Sequence, residues 1–201
     1  MTASSPITVT GVTGHIGGRI ADILLAEGRS VRAVGRDAAR LKPLATRGAE
    51  AFIGDMSDPA AAERAFTGAQ AVFAMIPPNI AATDVRADQN RFADSYVRAI
   101  QRSKVSHVVA LSSIGAHQGT GMGPVNGLHD WEEKLKGLYG VNVLILRPAY
   151  FMENLLVNAG MIKNNRMMGS ALRADLRFSP IATADIAAVA ASALDKRGFS
   201  G

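Results

Sequence analysis

The stretch GVTGHIGG, residues 11–18, puts four glycines into eight positions, directly after ITVT (7–10) and before RIADILLAEG (19–28). Glycine weakens the interior of both strands and helices, so its clustering at a junction signals a tight turn and a close approach to the backbone. The residues before it form a β-branched run. Those after it place Ile16, Ile20, Ile23 and Leu24 on one helical face, and Gly28 closes the pattern. The stretch therefore reads as the turn of a strand–loop–helix unit.

Outward from this unit, short apolar runs alternate with helical patterns. SVRAVG (30–35) reads as a second strand, DAARLKPLATRG (37–48) as a short helix with a glycine stop, and AEAFIGD (49–55) as a third strand. Asp58 and Pro59 supply an N-cap and a first-turn proline for a helix running to Phe66. QAVFAMI (70–76) is a fourth strand, ended by Pro77 and Pro78. A long helix over residues 82–103 lines up Val85, Phe92, Tyr96 and Ile100. HVVALSS (107–113) and VNVLILRP (141–148) are strands five and six, separated by a glycine-rich loop and a helix over 128–138, and a last helix spans 183–195. The strands are nearly continuous apolar runs, as expected where helices cover both sides of a parallel sheet. The expected fold is a Rossmann-type doubly wound parallel α/β sheet in three layers, one domain over residues 1–201.

Composition narrows the function. With 201 residues and 48% hydrophobic content the chain can bury one substantial core. The absence of cysteine excludes disulfides, thiolate metal sites and cysteine nucleophiles, and suits a reducing cytoplasm. No metal site is expected. The N-terminus lacks a basic segment followed by an apolar one, and no apolar run reaches membrane-spanning length, so no membrane partner is expected. A net charge of +5 is spread along the chain, which reads as a solvated surface and not as a nucleic-acid face. A small-molecule substrate is the expected partner, and a homodimer is left open.

In a sheet of this kind, ligands sit beyond the carboxyl ends of the strands, and the first crossover is the usual phosphate site. Gly11 permits the tight turn, Gly14 lets a diphosphate approach, and Gly17 with Gly18 lets the helix pack on the strand with its free N–H groups toward the phosphates. The spacing is G-x-x-G-x-x-G. The second strand ends AVGRD, so Arg36 stands where an acidic residue would otherwise meet the ribose hydroxyls of NAD. Arginine there suits the extra phosphate of NADP, which is the expected cofactor, with NAD the second choice. Asp37 reads as a helix cap. Arg40, one turn beyond Arg36, either assists it or is simply solvated. Asp55, with the Met56 backbone beside it, lies where an adenine edge would rest, or is a turn aspartate. Ile76, in MIPP at the end of strand four, would run beneath the ribose unless the prolines only terminate the strand.

Together VTGVTGHIGG (9–18), IGDMSD (53–58), LSS (111–113), LRPAYFMENLL (146–156) and IATADIAAVAA (181–191) make the chain resemble the NmrA-like branch of the short-chain dehydrogenase/reductase superfamily. The resemblance is to its NAD(P)H-dependent quinone-reductase-like members and covers essentially the whole chain. It implies that Thr13, His15 and Ile16 join the glycines around the diphosphate. It also implies that Pro148, Ala149, Tyr150 and Phe151 line the nicotinamide end. Asn154 would face the substrate, or merely begin a helix. Proteins of this kind continue further past the last helix, so a reduced or truncated C-terminal substrate-binding part is expected.

Hydride transfer to a carbonyl needs a proton donor, which reductases of the superfamily usually supply from a Tyr-x-x-x-Lys pair. Tyr96, Tyr139 and Tyr150 are followed at that spacing by Ile100, Val143 and Asn154, so the pair is absent. NGLHDWEEKL (126–135) occupies the corresponding stretch, and His129 is its best-placed polar group, as proton donor or as a capping residue. Ser112 or Ser113 would bond a substrate oxygen, or satisfy the backbone. Quinones relieve the need for an acid, because their reduced anions take a proton from water. The expected function is an NADPH-dependent oxidoreductase delivering hydride to a quinone or similar small electrophile. The alternative is an NADP(H)-binding redox sensor without turnover.

Overall fold

Six strands, β1 (Ile7–Val9), β2 (Val31–Gly35), β3 (Glu50–Ile53), β4 (Ala71–Met75), β5 (His107–Leu111) and β6 (Asn142–Leu146), form one parallel sheet in the order β3-β2-β1-β4-β5-β6. The computed structural model describes residues 5–79, 81–170, 172–173 and 175–200; the first four residues, part of the N-terminal stretch read for a targeting segment, lie outside them. Because β1 lies between β2 and β4, the chain order reverses there and the crossovers pass to opposite faces. Helices α1 (His15–Ala26) and α2 (Ala38–Thr46) cover one face; α3 (Pro59–Phe66), α4 (Val85–Ser103) and α5 (Asn126–Lys136) cover the other. After β6 come a 3-10 segment (Met152–Asn158), α6 (Ala159–Asn165) and α7 (Thr183–Lys196), and α7 packs beside α1. The doubly wound three-layer expectation is met.

The double coverage explains the apolar strands. Along β4, Ala71 and Phe73 enter the core under α1 and α7, while Val72 and Ala74 enter the core under α3, α4 and α5. β5 divides in the same way, with Val109 and Leu111 on one side and Val108 and Ala110 on the other. Tyr96 of α4 stacks on Phe66 and tilts against Trp131, each at 5.7 Å between ring centroids, and all three are fully buried. Burial of a large side chain of this kind contributes roughly 1.5–3 kcal/mol.

Side-chain caps set several boundaries. Asp37 accepts from Ala39 N at 2.8 Å and Asp58 from Ala60 N at 3.0 Å, so α2 and α3 begin where the sequence placed them. Asp84 accepts from Ala87 N, which starts α4 at Val85 and leaves 82–84, drawn in by periodicity, ahead of the helix. β1 stops at Val9, one residue before the end of the ITVT run. From there Thr10 turns its hydroxyl across to β4, donating to Phe73 O at 3.0 Å and accepting from Met75 N at 3.1 Å. Helix α5 starts at Asn126 behind a 3-10 turn over Gly123–Val125, two residues before the apolar pattern becomes visible. No helix among the described residues is long and apolar enough to cross a membrane.

Candidate functional site

The glycine stretch forms the turn from β1 into α1, and its four glycines do different things. Gly11 adopts φ +68°, and a Cβ there would lie 2.7 Å from Met75 Sδ. Only glycine takes this turn without strain. A Cβ on Gly17 would lie 2.4 Å from Gly11 O and 2.7 Å from Thr10 O, and one on Gly18 would be 2.9 Å from Val12 O. These two positions let the helix start sit directly on the preceding loop. Gly14 differs: it is exposed, its φ is −102°, and a Cβ would approach nothing closer than Gly11 O at 3.4 Å. Its Cβ space is empty of protein, a cradle that a side chain would fill. Gly14 offers no side-chain cap, so the amides of His15, Ile16 and Gly17 begin α1 without helical acceptors. Free amides and the positive end of a twelve-residue helix favour an anion at this point. The Ile16 side chain runs down into the core.

A cleft opens over the carboxyl ends of β1 to β4, the point where the strand order reverses. Thr10, Gly11, Thr13, Arg36, Asp55, Met56, Met75, Pro77 and Tyr96 line it. The structure thus brings together residues from three sequence-predicted stretches. Arg36 is exposed at the rim and makes no hydrogen bond or ion pair among the described residues. Arg40 is not simply solvated, because its guanidinium donates to Thr13 O at 2.8 Å and ties α2 to the glycine loop. Asp55 accepts at one oxygen from the amide and hydroxyl of Ser57, both at 2.9 Å, and its second oxygen has no partner among the described residues. Partial burial acts most strongly on its carboxyl and pulls the pKa upward, but the Ser57 hydrogen bonds and the nearby Arg36 charge together hold it below the usual range. The Ile76 side chain is buried in the α3–α5 core, and its neighbours Met75 and Pro77 line the cleft. Tyr96 at the cleft floor donates to Met75 O at 3.0 Å, and burial pushes its hydroxyl pKa far upward, so it is no acid.

The residues expected at the far end of the site lie beyond β5 and β6. Pro148 accepts from Ile114 N at 2.9 Å and Leu146 from Ser112 N at 2.8 Å, which keeps the two strand ends together past the sheet. Tyr150 meets Phe178 edge to face at 5.7 Å. Phe151 packs against the core under α1 and α7. Asn154 is exposed in the 3-10 segment.

Ser112 and His129, the residues expected to act on the substrate, are tied into the scaffold. Ser112, expected to bond a substrate oxygen or to satisfy the backbone, is buried and donates its hydroxyl to Glu132 Oε1. Glu132, 1% exposed, also accepts from Arg147 Nε at 2.8 and 3.1 Å and from Arg147 Nη2. Burial acts most strongly and would raise the Glu132 pKa, but the bidentate arginine and the serine outweigh it and keep the carboxyl ionised. His129 uses Nδ1 against Ala116 O at 2.9 Å; since a carbonyl only accepts, Nδ1 carries the donated hydrogen. It joins α5 to the loop above and does not line the cleft. The sequence reading missed the Glu132–Arg147 pair. The one available signal was an acidic residue between Trp131 and Leu135 on the buried stripe of α5.

A doubly wound sheet whose first crossover is a glycine-rich anion cradle is the architecture of a nucleotide-binding Rossmann domain. Comparison with known proteins narrows this. Residues 11–197 match the family model described as NAD(P)H-binding, and the chain belongs to that family. It is 29% identical over 192 residues to an NAD(P)H azoreductase of Xenophilus azovorans, covering 96% of this chain and 64% of that protein. It is 31% identical over 195 residues to a (4-alkanoyl-5-oxo-2,5-dihydrofuran-3-yl)methyl phosphate reductase of Streptomyces griseus, covering 97% and 65%. The chain therefore spans just under two thirds of the length of these relatives. Among solved structures, an NADPH-dependent quinone oxidoreductase of Escherichia coli complexed with NADPH superposes with a TM-score of 0.82 at 22% identity, covering 97% of this chain and 66% of that one. A Citrobacter triphenylmethane reductase complexed with NADP(H) gives 0.80 at 22%, covering 98% and 67%. At these identities the structural likeness speaks for the fold.

Proposed function

We propose that the domain binds NADPH across the carboxyl ends of its strands and presents it to a quinone or similar flat electrophile for two-electron reduction. The observation that carries the reading is the cleft in which the exposed guanidinium of Arg36, without a hydrogen-bond or ion-pair partner among the described residues, stands beside the glycine cradle. The amides of His15 to Gly17 would hold the diphosphate, Arg36 the 2′-phosphate, and the second oxygen of Asp55 the adenine edge. The Pro148–Phe151 segment would line the nicotinamide end. NADPH, when bound, supplies the hydride. What the chain contributes is positioning and exclusion of solvent, because no titratable group in the cleft is free to serve as a strong acid. An acceptor whose reduced anion is weakly basic suits such a site, since water completes the reaction. Azo and quinone reductases among the similar proteins support that choice.

Two expected results check it. Replacing Arg36 with glutamate removes a charge-assisted contact and adds repulsion, so NADP affinity falls about 30- to 150-fold while NAD affinity changes less than about threefold. Titration of the variant with both nucleotides reads this directly, and equal losses remove the basis for the cofactor choice. In a panel of quinones and azo dyes, NADPH is oxidised at a rate that His129→Ala leaves within about threefold, as water protonation requires. A rate that collapses in this variant makes His129 the proton donor after all.

A second reading has its own observation. Both His129, offered as proton donor, and Ser112, offered to bond a substrate oxygen, are hydrogen-bonded into the scaffold, which equally suits a redox sensor that binds NADP(H) and signals through a partner. Saturable binding with no turnover across the panel would select it.

A further inference from the structure

Glu153, in the LRPAYFMENLL stretch, has no role in the reading above, yet its carboxylate is fully engaged. One oxygen accepts from Thr183 N at 2.9 Å and from the Thr183 hydroxyl at 2.6 Å, and the other accepts from Thr183 N at 3.1 Å. Thr183 is the first residue of α7 and is buried, and Ala182 before it has no side chain with which to cap the helix. A carboxylate thirty residues upstream therefore performs the capping, at the helix end where negative charge is most stabilising. The backbone reinforces the contact. Phe151 and Ile181 form a parallel bridge, Met152 N donates to Ile181 O at 3.0 Å, and Ile181 N donates to Tyr150 O at 3.0 Å. Segment 150–153 is thus fastened to the entry of α7. The body of α7, through Ile186, Ala187, Ala190 and Leu194, shares one core with Ile16 and Ile20 of α1. One helix supports both the anion cradle and the segment beyond β6.

We propose that Glu153 is a positioning residue for the nicotinamide half of the cofactor, holding Tyr150–Met152 in register with the cradle through α7. This rests on the NADPH reading of the cleft. The adenosine half, bound over β1 to β3, makes no use of the contact, so the two halves separate the effect from general stability. The test titrates the full chain with NADPH and with adenosine 2′,5′-bisphosphate, which carries the adenosine half alone. Glu153→Ala is expected to weaken NADPH binding about tenfold and to leave the bisphosphate within about twofold. Glu153→Gln, which keeps an oxygen for the threonine hydroxyl, recovers most of the loss. Thr183→Val, which removes that hydroxyl while keeping the amide, reproduces part of it and guards against a Glu153 variant that fails to fold. If wild type binds both probes and Glu153→Ala weakens both alike, or neither, the assignment is overturned while the cleft stands. Wild-type chain that binds neither probe overturns the cofactor reading, and this inference with it.

Discussion

Valine in place of Gly14 is expected to abolish binding of NADP and NAD alike while moving the thermal midpoint by no more than about 2 °C. The position is exposed and extended in backbone, and beyond its chain neighbours an added Cβ would meet only Gly11 O, at an ordinary contact distance of 3.4 Å. The same substitution at Gly17 should behave differently. There the Cβ would sit 2.4 Å from Gly11 O and 2.6 Å from Gly11 C, backbone atoms that cannot turn aside. Such overpacking costs about 3 kcal/mol or more and displaces the helix start. Gly17→Val should therefore lose stability and binding together, and Gly14→Val binding alone. Thermal unfolding and nucleotide titration on both variants separate the two roles. A Gly14→Val protein that still binds either nucleotide with wild-type affinity contradicts the cradle.

The second large effect concerns the Glu132–Arg147 pair. Arg147 keeps 39% of its side-chain exposure while Glu132 keeps 1%, so the two partners are not equivalent. Removing the arginine strands a buried carboxylate, and Arg147→Ala is expected to cost about 3–5 kcal/mol at neutral pH. Glu132→Gln leaves a cation that water can reach and should cost less. The pH dependence reverses as well. In the native chain the Glu132 pKa lies below its unfolded value, so its contribution is present above about pH 4 and is lost as pH falls through the folded pKa. Without Arg147, burial, the largest influence on the carboxyl, is opposed only by the Ser112 hydrogen bond and the Lys136 charge, and the pKa rises. The folded state then binds more protons than the unfolded one, and stability falls as pH rises above about 4. Denaturant unfolding of Arg147→Ala between pH 4 and 7 should show that downward slope. A flat profile, or a loss no larger than that of Glu132→Gln, shows that the pair does not hold α5 against the strand ends.

The fold was largely legible because its signals are local. Asp58–Pro59, Asp37 and the glycine stops mark helix ends through contacts within a few residues, and unbroken apolar strands announce a sheet covered on both faces. The gathering of Gly11, Thr13, Arg36 and Asp55 in one cleft was legible for the same reason: they sit at strand ends, and the parallel order brings strand ends together. Ile76 was less legible because a strand alternates its side chains, and one step along β4 moves a residue from cleft to core. Ser112 was less legible because a strand-end hydroxyl can point outward or back, and what decides its direction is Glu132, twenty residues away on another layer. Glu153 and Thr183 are thirty residues apart, with no periodicity to connect them. Contacts of this kind depend on tertiary packing, which neither residue type nor spacing encodes.

The central claim is that the turn between β1 and α1, with Arg36 beside it, grips a phosphorylated nicotinamide dinucleotide. Titration calorimetry of the folded chain with NADPH and NADH measures it most directly. Saturable binding of both, with NADPH the tighter, is the predicted result; the absence of saturable heat with either nucleotide contradicts the account.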